Sequence, residues 1–227
     1  MISEVGAVTF DDFFTLRYPI GEKEDIIYQI LKALKREGVN LDDEEFLEQY
    51  FKEDERYRRK LIETFRESLL DDIIMNSLMV CGCKSKTIGR IVKEAVDYGL
   101  ATKKAKWFPN VRWTLVTLRK RGYTLGLISN THWRVLEDLK KDFASLFDVV
   151  TLSYEHGYAK PHPSIFQVTL NKLGTKANQC LHVGDDPVAD VKGAKGVGMK
   201  TAFIMRKKVR TDADMEIKGV AELMTLL

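Results

Sequence analysis

Five short apolar runs, at about 5–10, 123–128, 147–152, 180–184 and 200–204, are separated by stretches whose apolar residues recur at helical spacing. Apolar strands interleaved with helices need cover on both faces. The architecture that supplies it is α/β, a doubly wound, open parallel sheet with helices on each side and right-handed crossovers. Val111, Leu115 and Leu118, then Val135, Leu136 and Leu139, then Ile165, Phe166, Thr169 and Leu170 are spaced to bury one helix face each. Functional groups in such sheets gather beyond the C-terminal ends of the strands, where Asp11, Ser129 and Asp185 fall.

Between Thr15 and about residue 105 no comparable strand is legible. Ile26-Ile27, Ile30-Leu31 and Leu34, then Phe46-Leu47, Tyr50-Phe51, Leu61-Ile62, Phe65 and Leu69-Leu70 follow a helical period instead. Leu41-Asp42-Asp43-Glu44-Glu45 reads as a helix start with acidic residues in its first turn, and Gly38 as the stop of the helix before it. The expected organisation is a core of residues 1–16 and 105–227 with an all-helical insertion over 17–104. A chain of 227 residues, 44% of them apolar, is large enough for one domain plus an insertion.

Charge argues against two classes of partner. Thirty-six basic and 33 acidic side chains leave a formal charge of +3, too balanced to imply nucleic acid or a membrane surface. Arg206-Lys207-Lys208-Val209-Arg210 reads as a solvated loop after a strand. No apolar segment approaches the roughly 20 residues that span a bilayer, and no leader pattern opens the chain, so a cytoplasmic location is expected. Cys81, Cys83 and Cys180 make neither an even disulfide framework nor a four-ligand zinc set. Cys180 reads as core and the other two as reduced thiols. No feature assigns an oligomeric state.

Four segments carry chemistry. Asp11 follows Val5-Gly6-Ala7-Val8-Thr9-Phe10 and precedes Thr15 by four residues, presenting an exposed carboxylate at a strand end. Ser129-Asn130 follows Leu125-Gly126-Leu127-Ile128, Lys160 precedes Pro161, and Gly184-Asp185-Asp186 is followed by Asp190. In this order they resemble the haloacid dehalogenase superfamily of hydrolases, over nearly the whole chain. The most specific pieces are Gly157-Tyr158-Ala159-Lys160-Pro161-His162-Pro163-Ser164-Ile165-Phe166 and the stretch from His182 to Ala194, which are similar to that superfamily's third and fourth motifs.

The resemblance implies a Rossmann-like core with a helical cap inserted between the first two motifs. It further implies Asp11 as a nucleophile that forms an aspartyl-phosphate, with Mg²⁺ held by Asp11, Asp185 and the backbone carbonyl of Phe13. An octahedral oxygen site of that kind suits Mg²⁺, which keeps several waters. Ser129 and Asn130 would offer a hydroxyl and an amide to the phosphoryl oxygens. Lys160 would hold Asp11 and offset developing negative charge. Thr15 would brace the loop. Asp190 would orient ligands or water and Asp186 would meet metal-bound water, or both would cap the following helix at the surface. His132 and Trp133 would contact substrate or cover an apolar edge. Nothing makes His162 or His182 a metal ligand.

The first motif departs from the phosphatase pattern Asp-x-Asp-x-Thr, because Phe13 stands where the second Asp belongs. That Asp protonates the leaving group and activates water, work worth about 10²–10⁴-fold. The expected activity is therefore hydrolysis of a small phosphate ester that is slow or selective for good leaving groups, with Asp12, Asp186 or His132 available as partial substitutes. An aromatic residue at this position also resembles the 2-haloacid dehalogenases, in which the aspartate attacks carbon. That branch typically lacks the Gly-Asp pair kept here at Gly184-Asp185. A third reading is a phosphate-ligand binding or regulatory protein with little turnover.

Overall fold

Six parallel strands form the main sheet of this computed structural model, which describes residues 5–20, 23–66, 70–83, 88–101, 104–131, 145–206 and 208–227. The strands of this sheet are β1 (Ala7–Phe10), β4 (Thr124–Ser129), β5 (Val149–Leu152), β6 (Cys180–Gly184), β7 (Lys200–Ile204) and β8 (Met215–Ile217), in the order β5-β4-β1-β6-β7-β8. β1 lies between β4 and β6, with Ala7 opposite both Thr124 and Cys180. The chain order changes direction at β1, so a crevice opens beyond its C-terminal end. Asp11 is the first residue past that end.

Alternation along β1 explains its uninterrupted apolar character. Val8 and Phe10 join one core with Leu125, Leu127, Leu181, Val183 and, from helix α5 (Val111–Lys120), Leu115 and Leu118. Ala7 joins the opposite core with Ile128, Cys180 and, from helix α6 (Pro163–Leu173), Ile165, Phe166 and Leu170. Both faces are therefore covered, and period-two alternation sorts neighbours into different cores. Truncating a side chain such as Leu127 to alanine would cost about 2–5 kcal/mol.

The residues fall into two compact units, Met1–Tyr18 with Ala105–Leu227, and Pro19–Lys104. The second unit holds α1 (Lys23–Arg36), α2 (Asp43–Thr64), α3 (Leu70–Val80) and α4 (Ile88–Ala101). Its own core contains Ile30, Leu34, Phe46, Ile74, Leu78 and Val96, all fully buried. The punctuation residues act as their chemistry suggests. Asp42 accepts a hydrogen bond from the Glu45 amide at 2.9 Å, and Gly38 takes a left-handed φ of 80° beyond the end of α1. The exposed ladder on α2, Lys52 to Glu48 and Arg58 to Asp54, is screened by solvent and contributes little to stability.

Three strands were not read from the sequence. The stretch from 17 to 104 is not wholly helical at its ends: β2 (Arg17–Ile20) and β3 (Lys104–Trp107) form a separate two-stranded sheet. Each is four residues long and carries charge, so neither shows the apolar run that signals a buried strand. β8, three residues at the sheet edge with an exposed Glu216, escaped notice for the same reason. Val135, Leu136, Leu139, His132 and Trp133 lie outside the described residues. No described helix is long and apolar enough to cross a membrane.

Candidate active site

Three strand ends and one helix-leading loop bring the site together. Asp11 follows β1, with its amide bonded to the Val183 carbonyl of β6 at 2.9 Å. Asp185 follows β6 directly. Lys160 lies in the loop before α6 and sends its ammonium between two carboxylates, at 2.6 Å from Asp11 Oδ1 and 2.6 Å from Asp190 Oδ1. Asp11 is only 8% exposed, which corrects the expectation of an exposed carboxylate: the helix-leading loop with Lys160 closes over it.

Asp11, Asp185 and Asp190 each place an oxygen within 4.8 Å of the others. Their surroundings differ. Asp190 is saturated by protein donors, taking Lys160 and His182 Nε2 on Oδ1 and the Asp186 amide on Oδ2 at 3.0 Å. Burial alone would favour its neutral form, yet the Lys160 ammonium and His182 hold it well below the usual carboxylate range. Asp11 moves the other way. Burial outweighs the pull of Lys160, Asp190 adds repulsion, and its carboxyl is pushed up to about 8. Asp185, raised by burial and by Asp190, stands at about 6. Burial disfavours charge on Lys160 as well, but Asp11 and Asp190 more than restore it, holding the ammonium above its ordinary range.

Three carboxylates against one ammonium leave a formal double negative charge in a buried volume. Converging carboxylates of this kind protonate unless a cation meets them. An all-oxygen donor set with two carboxylates open to a ligand fits a hard divalent cation such as Mg²⁺.

The supporting residues have distinct tasks. Thr15 Oγ1 donates to Asp185 Oδ1 at 3.3 Å. Asn130 is bonded at both ends of its amide to the backbone of Lys160, accepting at Oδ1 from the amide at 2.7 Å and donating from Nδ2 to the carbonyl at 2.9 Å. The amide that the sequence seemed to offer to phosphoryl oxygens is thus spent on holding the lysine loop. Ser129 ends β4 at 2% exposure, and its hydroxyl has no hydrogen-bond partner among the described residues. A buried hydroxyl without a partner is uncommon and calls for a ligand or water. Asp186 is exposed and caps the following turn, with Oδ1 accepting from the amides of Val188 and Ala189 at 2.7 Å. Asp190, by contrast, is 2% exposed, so the surface-capping alternative holds for Asp186 and not for Asp190.

The nucleophile loop is wound around a buried ion pair. Asp12 is fully buried and takes both Arg17 Nε, at 2.7 Å, and Arg17 Nη2. Asp12 is therefore committed to structure and unsuited to replacing a missing acid. The Arg17 guanidinium lies 5.1 Å from the centre of the Phe13 ring and 5.9 Å from that of Trp107. Phe13 is half-buried, and Phe14 takes a left-handed φ of 62° with its side chain exposed.

Sequence reasoning missed His182 and Arg206. His182 is buried, with Nδ1 paired to Thr9 Oγ1 at 2.9 Å and Nε2 to Asp190 at 3.3 Å, and burial lowers its basicity. It takes part in positioning Asp190 without being a cation ligand. Its sequence signals are its place at the head of the fourth-motif stretch and on a strand two residues before Gly184, and neither names its partners. Arg206 Nε donates to the Phe14 carbonyl at 2.6 Å from the loop after β7. Its exposure agrees with the solvated loop read from the basic run, and the bond to Phe14 is what that run does not signal.

Residues 22–204 match the family model described as haloacid dehalogenase-like hydrolase. The chain belongs to that family. It is 36% identical over 118 residues to the glyceraldehyde 3-phosphate phosphatase of Pyrococcus furiosus, a match covering 50% of this chain and 48% of that protein. The chain spans about half the length of the curated relatives it matches in this way. Among solved structures, a 2-haloacid dehalogenase from Pseudomonas syringae superposes with a TM-score of 0.77 at 24% identity, covering 98% of this chain and 97% of that one. A HAD phosphatase from Thermococcus onnurineus superposes at 0.61 with 25% identity over 98% and 97% of the two chains. The parallel α/β sheet matches that fold.

Proposed function

We propose that the protein is a Mg²⁺-dependent phosphatase that hydrolyses a small phosphate ester through a phosphorylated Asp11. The observation that carries this reading is the meeting of Asp11 and Asp185 beside the Lys160 ammonium, with the Ser129 hydroxyl, which has no partner among the described residues, at the end of the neighbouring strand. The phosphatase names of its relatives support it.

Asp11 and Asp185, with the Phe13 carbonyl, would hold Mg²⁺, and the bound cation would neutralise charge on the phosphoryl oxygens. Lys160 fixes Asp11 by its hydrogen bond and keeps one Asp11 oxygen aimed for in-line attack. Ser129 donates its hydroxyl to a phosphoryl oxygen. The Asp11 oxygen aimed in this way bonds to phosphorus as the ester P–O bond breaks, and the leaving alkoxide takes a proton from water because Phe13 supplies none. Water then attacks the aspartyl-phosphate, releasing inorganic phosphate and free Asp11. Without an acid/base side chain the second step is slow, and substrates whose leaving groups need little proton assistance are favoured. Asp190 holds Lys160, Thr15 holds Asp185 and Asp186 caps the adjoining turn. Acid-quenched protein should carry a phosphoryl adduct on the peptide containing Asp11. Its absence, under conditions where phosphate is released, would sink the covalent route.

Phe13 favours one second reading, displacement of halide from a 2-haloacid by Asp11. Asp185, drawn into the carboxylate cluster, weighs against it, because carbon attack has no use for a cation at that position.

A further inference from the structure

A cavity of about 320 Å³ adjoins Asp185 on its outer side. Asp185, Asp186 and Arg206 supply its charged lining, and Phe14, Pro187, Phe203 and Val209 its apolar lining. Arg206 is held in place from two directions. Its Nε donates to the Phe14 carbonyl at 2.6 Å, and its guanidinium lies 3.8 Å from the centre of the Phe108 ring. Neither Nη group has a hydrogen-bond partner among the described residues. A guanidinium fixed by Nε and by stacking, with both Nη groups left over, is arranged to grip a planar or tetrahedral anion by two parallel bonds.

The walls and the charge beyond support the same conclusion. Phe14 keeps a left-handed backbone, rare for a bulky residue. That conformation sets its ring on the cavity wall, where a short carbon segment would pack. A second cavity of about 450 Å³ shares Arg206 and Val209 and adds Lys208, Arg210 and Glu216, so the potential past Arg206 is positive. The cavity thus joins the phosphoryl and cation chemistry at Asp185 to apolar side chains and to the Arg206 guanidinium.

We infer that Arg206 is a specificity-determining residue, and that the substrate is a small phosphate ester with a second anionic group, a carboxylate or another phosphate, separated from the first by a short carbon spacer. This rests on the phosphatase reading for the identity of the first group only. The cavity volume is at the small end of those that hold ligands, which suits a spacer of a few carbons.

The test is equilibrium binding, so that it does not depend on turnover. Asp11→Asn protein in Mg²⁺ is titrated calorimetrically with two matched pairs: 3-phosphoglycerate against glycerol 3-phosphate, and propanediol bisphosphate against 3-hydroxypropyl phosphate. One or both doubly anionic ligands should bind more tightly than their partners, and Arg206→Gln should remove about a tenfold share of that preference. Arg206→Lys should restore it only in part. The pair that shows the preference distinguishes carboxylate from phosphate as the second anion. Because Arg206 also holds the Phe14 carbonyl, the singly anionic ligands are the reference. An equal loss for both members of a pair indicates a disturbed loop and overturns the inference, as does the absence of any preference in the parent protein. Phosphate release by the native chain, lost in Asp11→Asn, is measured separately. Failure there refutes the phosphatase reading, while the binding preference still decides the role of Arg206.

Discussion

Gly184 and Asp190 compete for the same space: a Cβ built on Gly184 would fall 2.2 Å from Asp190 Cγ. The glycine is what lets the Asp190 carboxylate lie against the end of β6 and reach Lys160. Gly184→Ala should therefore displace Asp190, free one of the two anchors of Lys160 and lower kcat by tenfold or more. The crystal structure of the variant should show the Lys160–Asp190 contact broken. An intact contact with wild-type turnover would refute the role assigned to this glycine.

The buried pair in the nucleophile loop predicts a stability effect. Arg17→Met leaves the Asp12 carboxylate buried without its bidentate partner, and breaking such a pair costs about 3–5 kcal/mol. Urea denaturation should show a loss of this size, and adding Asp12→Asn should recover part of it. Additive losses in the double variant would mean that the two side chains are not coupled.

Much of this was legible in the sequence, for definite reasons. β1, β4 and β6 are buried on both faces, so their runs are mostly apolar, and Asp11, Ser129 and Asp185 stand at or just past their ends. Asp42 and Gly38 punctuate the helical unit by local chemistry that needs no tertiary context. β2, β3 and β8 were illegible because short strands at a ribbon or an edge bury too little to impose a pattern. The competing tasks of Asn130 and Asp12 were hidden as well. Both depend on which backbone or side chain lies within about 3 Å, and neither partner is fixed by spacing.

The raised pKa values of Asp11 and Asp185 predict how Mg²⁺ acts on stability. Both carboxyls hold their protons more tightly in the folded protein than the ordinary value of 3.8 allows, at about 8 and about 6. Without a cation, the fold is penalised increasingly as pH rises above 3.8, because the unfolded chain releases these protons first, and the penalty is complete above about 8. A cation replaces the protons, so its stabilising effect should be small at pH 5 and grow through pH 6 to 8. Melting temperatures with and without Mg²⁺ across this range check it. A Mg²⁺ shift that shrinks as pH rises would contradict the assigned carboxylates.

Phe13→Asp tests the missing acid/base. If an aspartate at this position can protonate the leaving group, steady-state phosphate release should rise by tenfold or more, part of the roughly 10²–10⁴-fold range of such catalysis. The gain should be largest for esters with poor leaving groups, and any initial burst should diminish. An unchanged or lower rate, with the melting temperature preserved, would count against the account of Phe13.

The most direct measurement of the central claim is inorganic phosphate release from a panel of small phosphate esters, with and without Mg²⁺, against Asp11→Asn protein as background. The account predicts release that requires Mg²⁺ and vanishes in the variant. Release that persists in Asp11→Asn, or that is indifferent to Mg²⁺, would contradict it, and halide release from a 2-haloacid in the absence of any phosphate release would assign Asp11 to carbon instead.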